Sequence, residues 1–239
     1  LPVDPQGVGS PGGYVMDSIP GLYEHVIVLD FKSLYPSIIR SFKVDPYGLT
    51  EADTHWQAND ECTPKILEDI SLFSPGYRGA YFKKENTILP TLIEKLWDAR
   101  DEAKSHKNKA LDQAIKIIMN SFYGVMGTPG CRFFDFRLPS SITLRGHSIM
   151  NQTRTLIEEK GFEVIYGDTD SLFVWIKHSP SNEDANTIGK GLARHVTQWW
   201  RTHLRMQYQL DSALELEYEN HYSKFLMPTV RGSSQGTKK

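Results

Sequence analysis

The sequence has 239 residues, 39% of them hydrophobic and 23% charged, the profile of an ordinary globular protein long enough for one large domain or two small ones. A formal net charge of −2 excludes a generally basic nucleic-acid coat, so any nucleic-acid site must be local. No run of about 18 apolar residues and no secretory leader is visible, and two cysteines, Cys62 and Cys131, are too few for a disulfide framework, which together suggest a reducing cytoplasm and no membrane span.

The chain opens in a loop-like LPVDPQGVGSPGG and stops at RGSSQGTKK, and it reads as a piece of something longer. Residues 25–30, HVIVLD, are apolar, β-branched and too short for a helix, which predicts a buried strand ending on Asp30. In SLYPSIIRSF, Pro36 suits the opening of a helix and biases Tyr35 away from the α region. Scattered Pro, Gly, Asp and Ser over 46–80 predict loops and short helices. From Ile88 to Lys107 the pattern is helical, with Leu92, Leu96, Ala99 and Ala103 in one stripe, and a second helix follows from Lys109 to about Tyr123. The short connection at Asn108 predicts an antiparallel helical hairpin. A helix over 141–160, a strand hairpin over 163–176, an amphipathic helix over 186–206, a strand over 212–219 and further extended chain over 225–230 complete the order. Trp199, Trp200, Leu192, Val196 and Leu204 read as one helix packed on a sheet, His147 as a satisfied helix residue, and Cys131 as a buried small hydrophobe.

The hairpin VIYGDTDSLFVWI places Asp168 and Asp170 at a turn between two apolar runs, and a second apolar strand also ends on an acid, Asp30. Asp-x-Asp alone is ordinary turn chemistry, and Asp30 alone suits a helix cap. Three carboxylates at strand ends are stable together where divalent cations remove their repulsion. On the helical hairpin, Arg100, Lys104 and Lys107 share one face, and Lys116, Asn120 and Gly124 share another. Folding about Asn108 sets Arg100 level with Lys116, a surface suited either to solvent or to a polyphosphate. Metal-binding acids with a phosphate clamp point to phosphoryl or nucleotidyl transfer.

DFKSLYPSII at 30–39, KIIMNSFYG at 116–124 and YGDTDS at 166–171 resemble, in order and spacing, the three polymerase motifs of family B DNA polymerases. SPGGYVMDS, GCRFFDFRL and LELEYE…KFLMPTVRG resemble its bacterial members most. The resemblance covers nearly the whole chain. It implies an α+β fold: a palm with a central antiparallel sheet packed on helices and an inserted αα-hairpin, the fingers, over 51–126, with palm over 1–50 and 127–239. It implies template-directed DNA synthesis in repair or replication restart, from dNTPs on primer–template DNA, with two Mg²⁺ ions for which Mn²⁺ may substitute. Asp30, Asp168 and the carbonyl of Phe31 would hold metal, with Asp170 an acid beside them. Arg100, Lys104, Lys116 and Asn120 would grip the triphosphate, with Ser33 and Leu34 near it through backbone, and Lys116 would protonate the leaving pyrophosphate. Tyr35 would exclude a ribose 2′-hydroxyl. Tyr123 and Gly124 would line the nascent base pair, and Thr169 would lie near the primer end. Gly12, Gly13 and Tyr14 would touch template, and Lys238 and Lys239 would begin a basic motif on the primer duplex. The expected setting is the bacterial cytoplasm near the nucleoid, with a sliding clamp met through absent regions and little activity in this segment alone. Two other readings are a polymerase-like scaffold without catalysis, whose signature would be loss of Asp30 or Asp168, and a glycosyltransferase of the Asp-x-Asp type, which requires a parallel sheet.

Overall fold

The computed structural model describes residues 11–58, 71–177 and 181–229; Cys62, Lys238 and Lys239 lie outside them. In chain order the elements are β1 (Gly21–Phe31), α1 (Leu34–Phe42), α2 (Pro46–Ala58), β2 (Phe73–Pro75), β3 (Tyr81–Lys83), α3 (Leu89–Ser105), α4 (Lys109–Met126), α5 (Arg137–Glu158), β4 (Glu163–Asp168), β5 (Ser171–Trp175), α6 (Asn182–Tyr208) and β6 (Leu216–Met227). They form two compact units, neither continuous in sequence. Among the described residues, one takes those within 35–145 and 203–213, and the other takes those within 13–34, 146–202 and 214–229. No helix among the described residues is long and apolar enough to cross a membrane.

The unit built around residues 13–34 carries a four-stranded sheet in the order β4-β5-β1-β6, with every neighbouring pair antiparallel. This is the α+β arrangement expected from sequence, and it is not the parallel sheet that the glycosyltransferase reading requires. β1 is central, and Val26, Ile27, Val28 and Leu29 are each at most 4% exposed, which is why their run is uninterrupted rather than alternating. Ile149, Met150, Leu156 and Ile157 from α5 and Leu192, Val196 and Trp200 from α6 are buried in the same unit. Trp200 donates its indole N–H to Thr153 at 3.1 Å, and a methyl group on Gly189 would overlap the Tyr218 ring, so α6 lies directly against β6. Where the sequence suggested two extended pieces after residue 211, the chain forms one strand, β6. Its middle, Glu219–Lys224, is polar because β6 is an edge strand among the described residues, and the hydrophobic signal lapses there.

The unit built around residues 35–145 is mostly helical. Tyr35 lies inside α1 rather than outside the α region, since Pro36 falls in the first turn, where its missing N–H is not required. The described part of 46–83 holds a 13-residue helix, α2, and a short β2–β3 hairpin. α3 starts on Leu89 without a local side-chain cap; instead the buried Asp45 carboxylate accepts from the N–H groups of Ile88 at 2.9 Å and Leu89 at 3.2 Å. The buried line of α3 is Leu89, Ile93, Trp97, Arg100 and Ala103, so the predicted stripe is out of phase: Leu92 is 41% exposed. Asn108 caps α4 by accepting from Leu111 N–H at 3.1 Å, and α4 continues through Gly124 to Met126. Arg137 grips Asp53 with two bonds of 2.8 and 3.0 Å and also bonds Asp135, tying the start of α5 to α2. Cys131 is partly exposed, not buried as expected, because the 127–134 segment is a series of turns.

Candidate active site

The acids meet at one end of the sheet. Across β4–β5 the register pairs Asp168 with Ser171, and across β1–β5 it pairs Asp30 with the same Ser171. Directly paired residues project on the same face, so Asp30 and Asp168 flank Ser171 with their backbones roughly 10 Å apart, two strand spacings. Ser171 donates its hydroxyl to Asp30 Oδ1 at 2.6 Å, and Phe31 N–H donates to the Asp170 carbonyl at 2.9 Å, locking the β5 end of the turn onto β1. A cleft of about 520 Å³ opens beside this turn, lined by Tyr166, Asp168, Thr169, Asp170, Ser171, Phe173 and Met227.

Three details explain why the local sequence is YGDTD. Thr169 has φ +54°, a left-handed conformation that a β-branched residue adopts only under constraint. The constraint is visible: its N–H donates to the Tyr14 carbonyl at 2.6 Å and its hydroxyl donates to Asp168 Oδ1 at 3.1 Å. Val15 bridges Asp168, and Met16 N–H donates to the Gly167 carbonyl at 2.9 Å, so residues 14–16 run along the outer edge of β4. A Cβ on Gly167 would come within 2.9 Å of Leu172 Cδ2 and 3.1 Å of Tyr14 Cε1, so any larger residue must push these side chains aside. The Tyr14 ring meets His147 edge-on at 5.8 Å and its hydroxyl donates to Asn151 at 3.1 Å. Burial, with Arg154 opposing it, holds the Tyr14 hydroxyl above its ordinary pKa, so it stays a donor. Tyr14 is thus 8% exposed and underpins the hairpin, while Gly12 and Gly13 are exposed.

Among the described residues no three His, Cys, Asp or Glu side chains converge into a complete protein cage for a metal. The pair Asp30 and Asp168, with backbone carbonyls such as that of Phe31 beside them, is an all-oxygen donor set with few protein ligands. That is the kind of site Mg²⁺ takes when substrate phosphates and water complete its shell, so the residues fit the ion that the motifs imply. Ser33, at φ +48°, and Leu34 follow at the start of α1, whose first N–H groups have no intrahelical acceptor.

In the other unit, α3 and α4 pack as an antiparallel pair. Arg100 is not level with Lys116 as the sequence suggested. Its Nε donates to Asp112 at 2.7 Å, one turn earlier on α4, because the fold of the hairpin centres near His106 rather than Asn108. Nor does Arg100 lie on an open surface: it is 8% exposed, whereas Lys104, Lys116, Asn120 and Gly124 are exposed. The hydrogen bond from Arg100 holds the Asp112 carboxyl below the ordinary carboxylate range, and the charges of Arg100, Lys104 and Lys116 act in the same direction. Asp112 was missed in the sequence because an acid in a helix's first turn reads as a dipole partner. Tyr35 and Tyr123 meet with ring centroids 4.9 Å apart, and a Cβ on Gly124 would meet nothing within 4 Å.

The model of DNA polymerase family B matches residues 5–230. The chain belongs to that family. It is 55% identical over 230 residues to DNA polymerase II of Escherichia coli (strain K12), covering 96% of this chain and 28% of that protein. It is 32% identical over 229 residues to a DNA polymerase of Thermococcus gorgonarius, covering 92% of this chain and 27% of that one. With a DNA polymerase of Pyrococcus glycovorans it shares 33% identity over 233 residues, 92% of this chain and 27% of that protein. The chain therefore spans less than a third of the length of these family B relatives.

Proposed function

We propose that this chain carries the catalytic centre of a DNA-directed DNA polymerase, which joins a deoxynucleotide to a primer 3′-hydroxyl on a DNA template and releases pyrophosphate. The observation that carries this reading is the shared register partner of Asp30 and Asp168, which sets two carboxylates on one face at one sheet end. Asp30, Asp168 and the Phe31 carbonyl would hold two divalent ions, Mg²⁺ or Mn²⁺, with Asp170 beside them. When bound, such ions make the attacking hydroxyl more acidic and neutralise the triphosphate. The Ser171 hydroxyl fixes the Asp30 carboxylate, and the Thr169 hydroxyl fixes that of Asp168, so neither acid must be ordered when substrate arrives. Thr169 itself is assigned to the primer end.

Arg100, Lys104, Lys116 and Asn120 grip the triphosphate in this account, Ser33 and Leu34 approach it through backbone N–H groups, and Lys116 supplies the proton for the leaving pyrophosphate. Tyr35 excludes the ribose 2′-hydroxyl, and its contact with Tyr123 supports the assignment by holding the ring in a fixed position. Tyr123 and the open space over Gly124 border the nascent base pair. Gly13 and Tyr14 on the template, and Lys238 and Lys239 on the primer duplex, follow from the motif resemblance. Residues 51–126 are the fingers, inserted between two parts of a palm. A role in repair or replication restart near the nucleoid, with a sliding clamp met elsewhere, rests on the motif resemblance to bacterial members of the family.

The test is a chimera: these residues replace the matching 230-residue stretch of Escherichia coli DNA polymerase II, and primer extension is measured with Mg²⁺ and then Mn²⁺. The expected result is extension that Asp30→Asn or Asp168→Asn abolishes, with little extension by the isolated chain. A chimera that folds and extends equally well with either acid replaced would refute the assignment.

A further inference from the structure

Asp112 sits where a phosphate clamp has no obvious use for an acid. Its carboxylate receives Arg100 Nε at 2.7 Å, with 10% of the Arg100 side chain and 28% of its own exposed. It is one helical turn before Lys116 on α4, and Lys104 is one turn after Arg100 on α3. Arg100 holds it directly, and the charges of Lys104 and Lys116 act on it from the neighbouring turns. Lys104 has a longer contact of its own, 3.9 Å to Asp101, on the exposed side of α3. Arg100 is therefore committed, and largely out of solvent, before any nucleotide arrives.

We propose that Asp112 is a resident counter-ion of the triphosphate clamp, which an incoming triphosphate displaces from Arg100. This inference rests on the reading of Arg100, Lys104 and Lys116 as that clamp. Without substrate, Asp112 offsets the repulsion among the cations and holds α3 and α4 in register. When a triphosphate enters, its oxygens compete with the Asp112 carboxylate for the same guanidinium, and the two anions repel each other. Asp112 thus weakens ground-state binding, and the penalty grows with the charge of the ligand, so it is larger for a triphosphate than for a monophosphate. No bond is made or broken; one charge-assisted hydrogen bond exchanges for others.

The experiment measures binding of inorganic tripolyphosphate to the full chain by isothermal titration calorimetry, without metal, at fixed ionic strength. Asp112→Asn keeps the shape and a hydrogen-bond acceptor for Arg100 but removes the charge. It is expected to tighten tripolyphosphate binding about 3- to 10-fold, the scale of one partly screened charge at this range, while lowering the thermal midpoint slightly. An Arg100→Ala background should change the size of the tightening, since the displaced bond is gone and only the repulsion remains, and tripolyphosphate should gain more from Asp112→Asn than inorganic monophosphate does. A merely structural Asp112 would lower affinity and stability together, and unchanged or weaker binding in Asp112→Asn overturns the proposal. Should Lys116→Ala and Arg100→Ala leave tripolyphosphate binding unaltered, the clamp reading itself fails and this inference fails with it.

Discussion

Gly167→Ala perturbs the site without touching a charge. The added methyl would lie 2.9 Å from Leu172 Cδ2 and 3.1 Å from Tyr14 Cε1. Leu172 is fully buried, so moving its side chain disturbs the packing around it. Tyr14 is held by its hydroxyl to Asn151 and by its ring against His147, and its carbonyl accepts the Thr169 N–H. Overpacking of this kind costs about 1–3 kcal/mol, and replacing glycine recovers roughly 0.4–1 kcal/mol by restricting the unfolded chain. The net is a loss centred on about 1.3 kcal/mol, which in a domain of this size lowers the thermal midpoint by about 3–5 °C. Differential scanning calorimetry and circular dichroism of the full chain read this directly. A Tyr14→Leu background should reduce the loss by at least roughly 0.5 kcal/mol, since the two residues are in contact. A neutral or stabilising Gly167→Ala would show that the hairpin has slack, and the explanation of the YGDTD turn would be wrong.

Gly124→Ala should behave oppositely. With nothing within 4 Å of the added methyl, alanine should stabilise α4 by about 0.5–1 kcal/mol, while nucleotide incorporation by the chimera falls if that space receives the nascent base pair; undiminished incorporation would remove Gly124 from the site. Arg137→Ala leaves the Asp53 and Asp135 carboxylates without their shared partner, and because the pair is only partly buried the loss should be about 2–3 kcal/mol; an unchanged thermal midpoint would show that the fork contributes nothing. Burial first, and then the neighbouring His25 ring, whose Nδ1 is 3.1 Å from His221 Nε2, hold the His221 pKa below its ordinary value. The unfolded chain therefore takes up that proton at higher pH than the folded one, so this stability is complete above about pH 6.5 and is lost as pH falls through the lowered pKa. His203, lowered by burial and then by Arg145, adds with the same sign. The thermal midpoint should fall between pH 7.5 and 5, less so in His221→Asn, and equal slopes for the two proteins would contradict this.

What could be read from the sequence was what short-range pattern encodes. HVIVLD and VIYGDTDSLFVWI declared their strands because their apolar runs are buried in the sheet, and their acids marked the sheet end. The α3–α4 hairpin was legible from Asn108, which does cap α4. Features that depend on partners distant in sequence were hidden. Asp45 caps a helix 43 residues later, and residues 14–16 brace a turn more than 150 residues away, so neither contact leaves a local signature. The phase of α3 was misread because a semi-polar stripe of Trp97 and Arg100 is buried where smaller apolar residues looked the better core. Arg100 looked like a surface cation for the same reason, since its burial depends on Asp112 across the hairpin. Strands of three residues, such as β2 and β3, are too short to carry a period.

Asp30 and Asp168 are assigned to act together as ligands of a divalent ion, and Mn²⁺ binding tests that assignment without any requirement for catalysis. Titrating Mn²⁺ into the full chain and following the free-ion signal by electron paramagnetic resonance gives the affinity for wild type, Asp30→Asn, Asp168→Asn and Asp170→Asn. The expected result is a site that either of the first two substitutions weakens at least about tenfold, the loss expected for removing one of two protein carboxylates, with a smaller effect of Asp170→Asn. Identical Mn²⁺ affinity in wild type, Asp30→Asn and Asp168→Asn would contradict it.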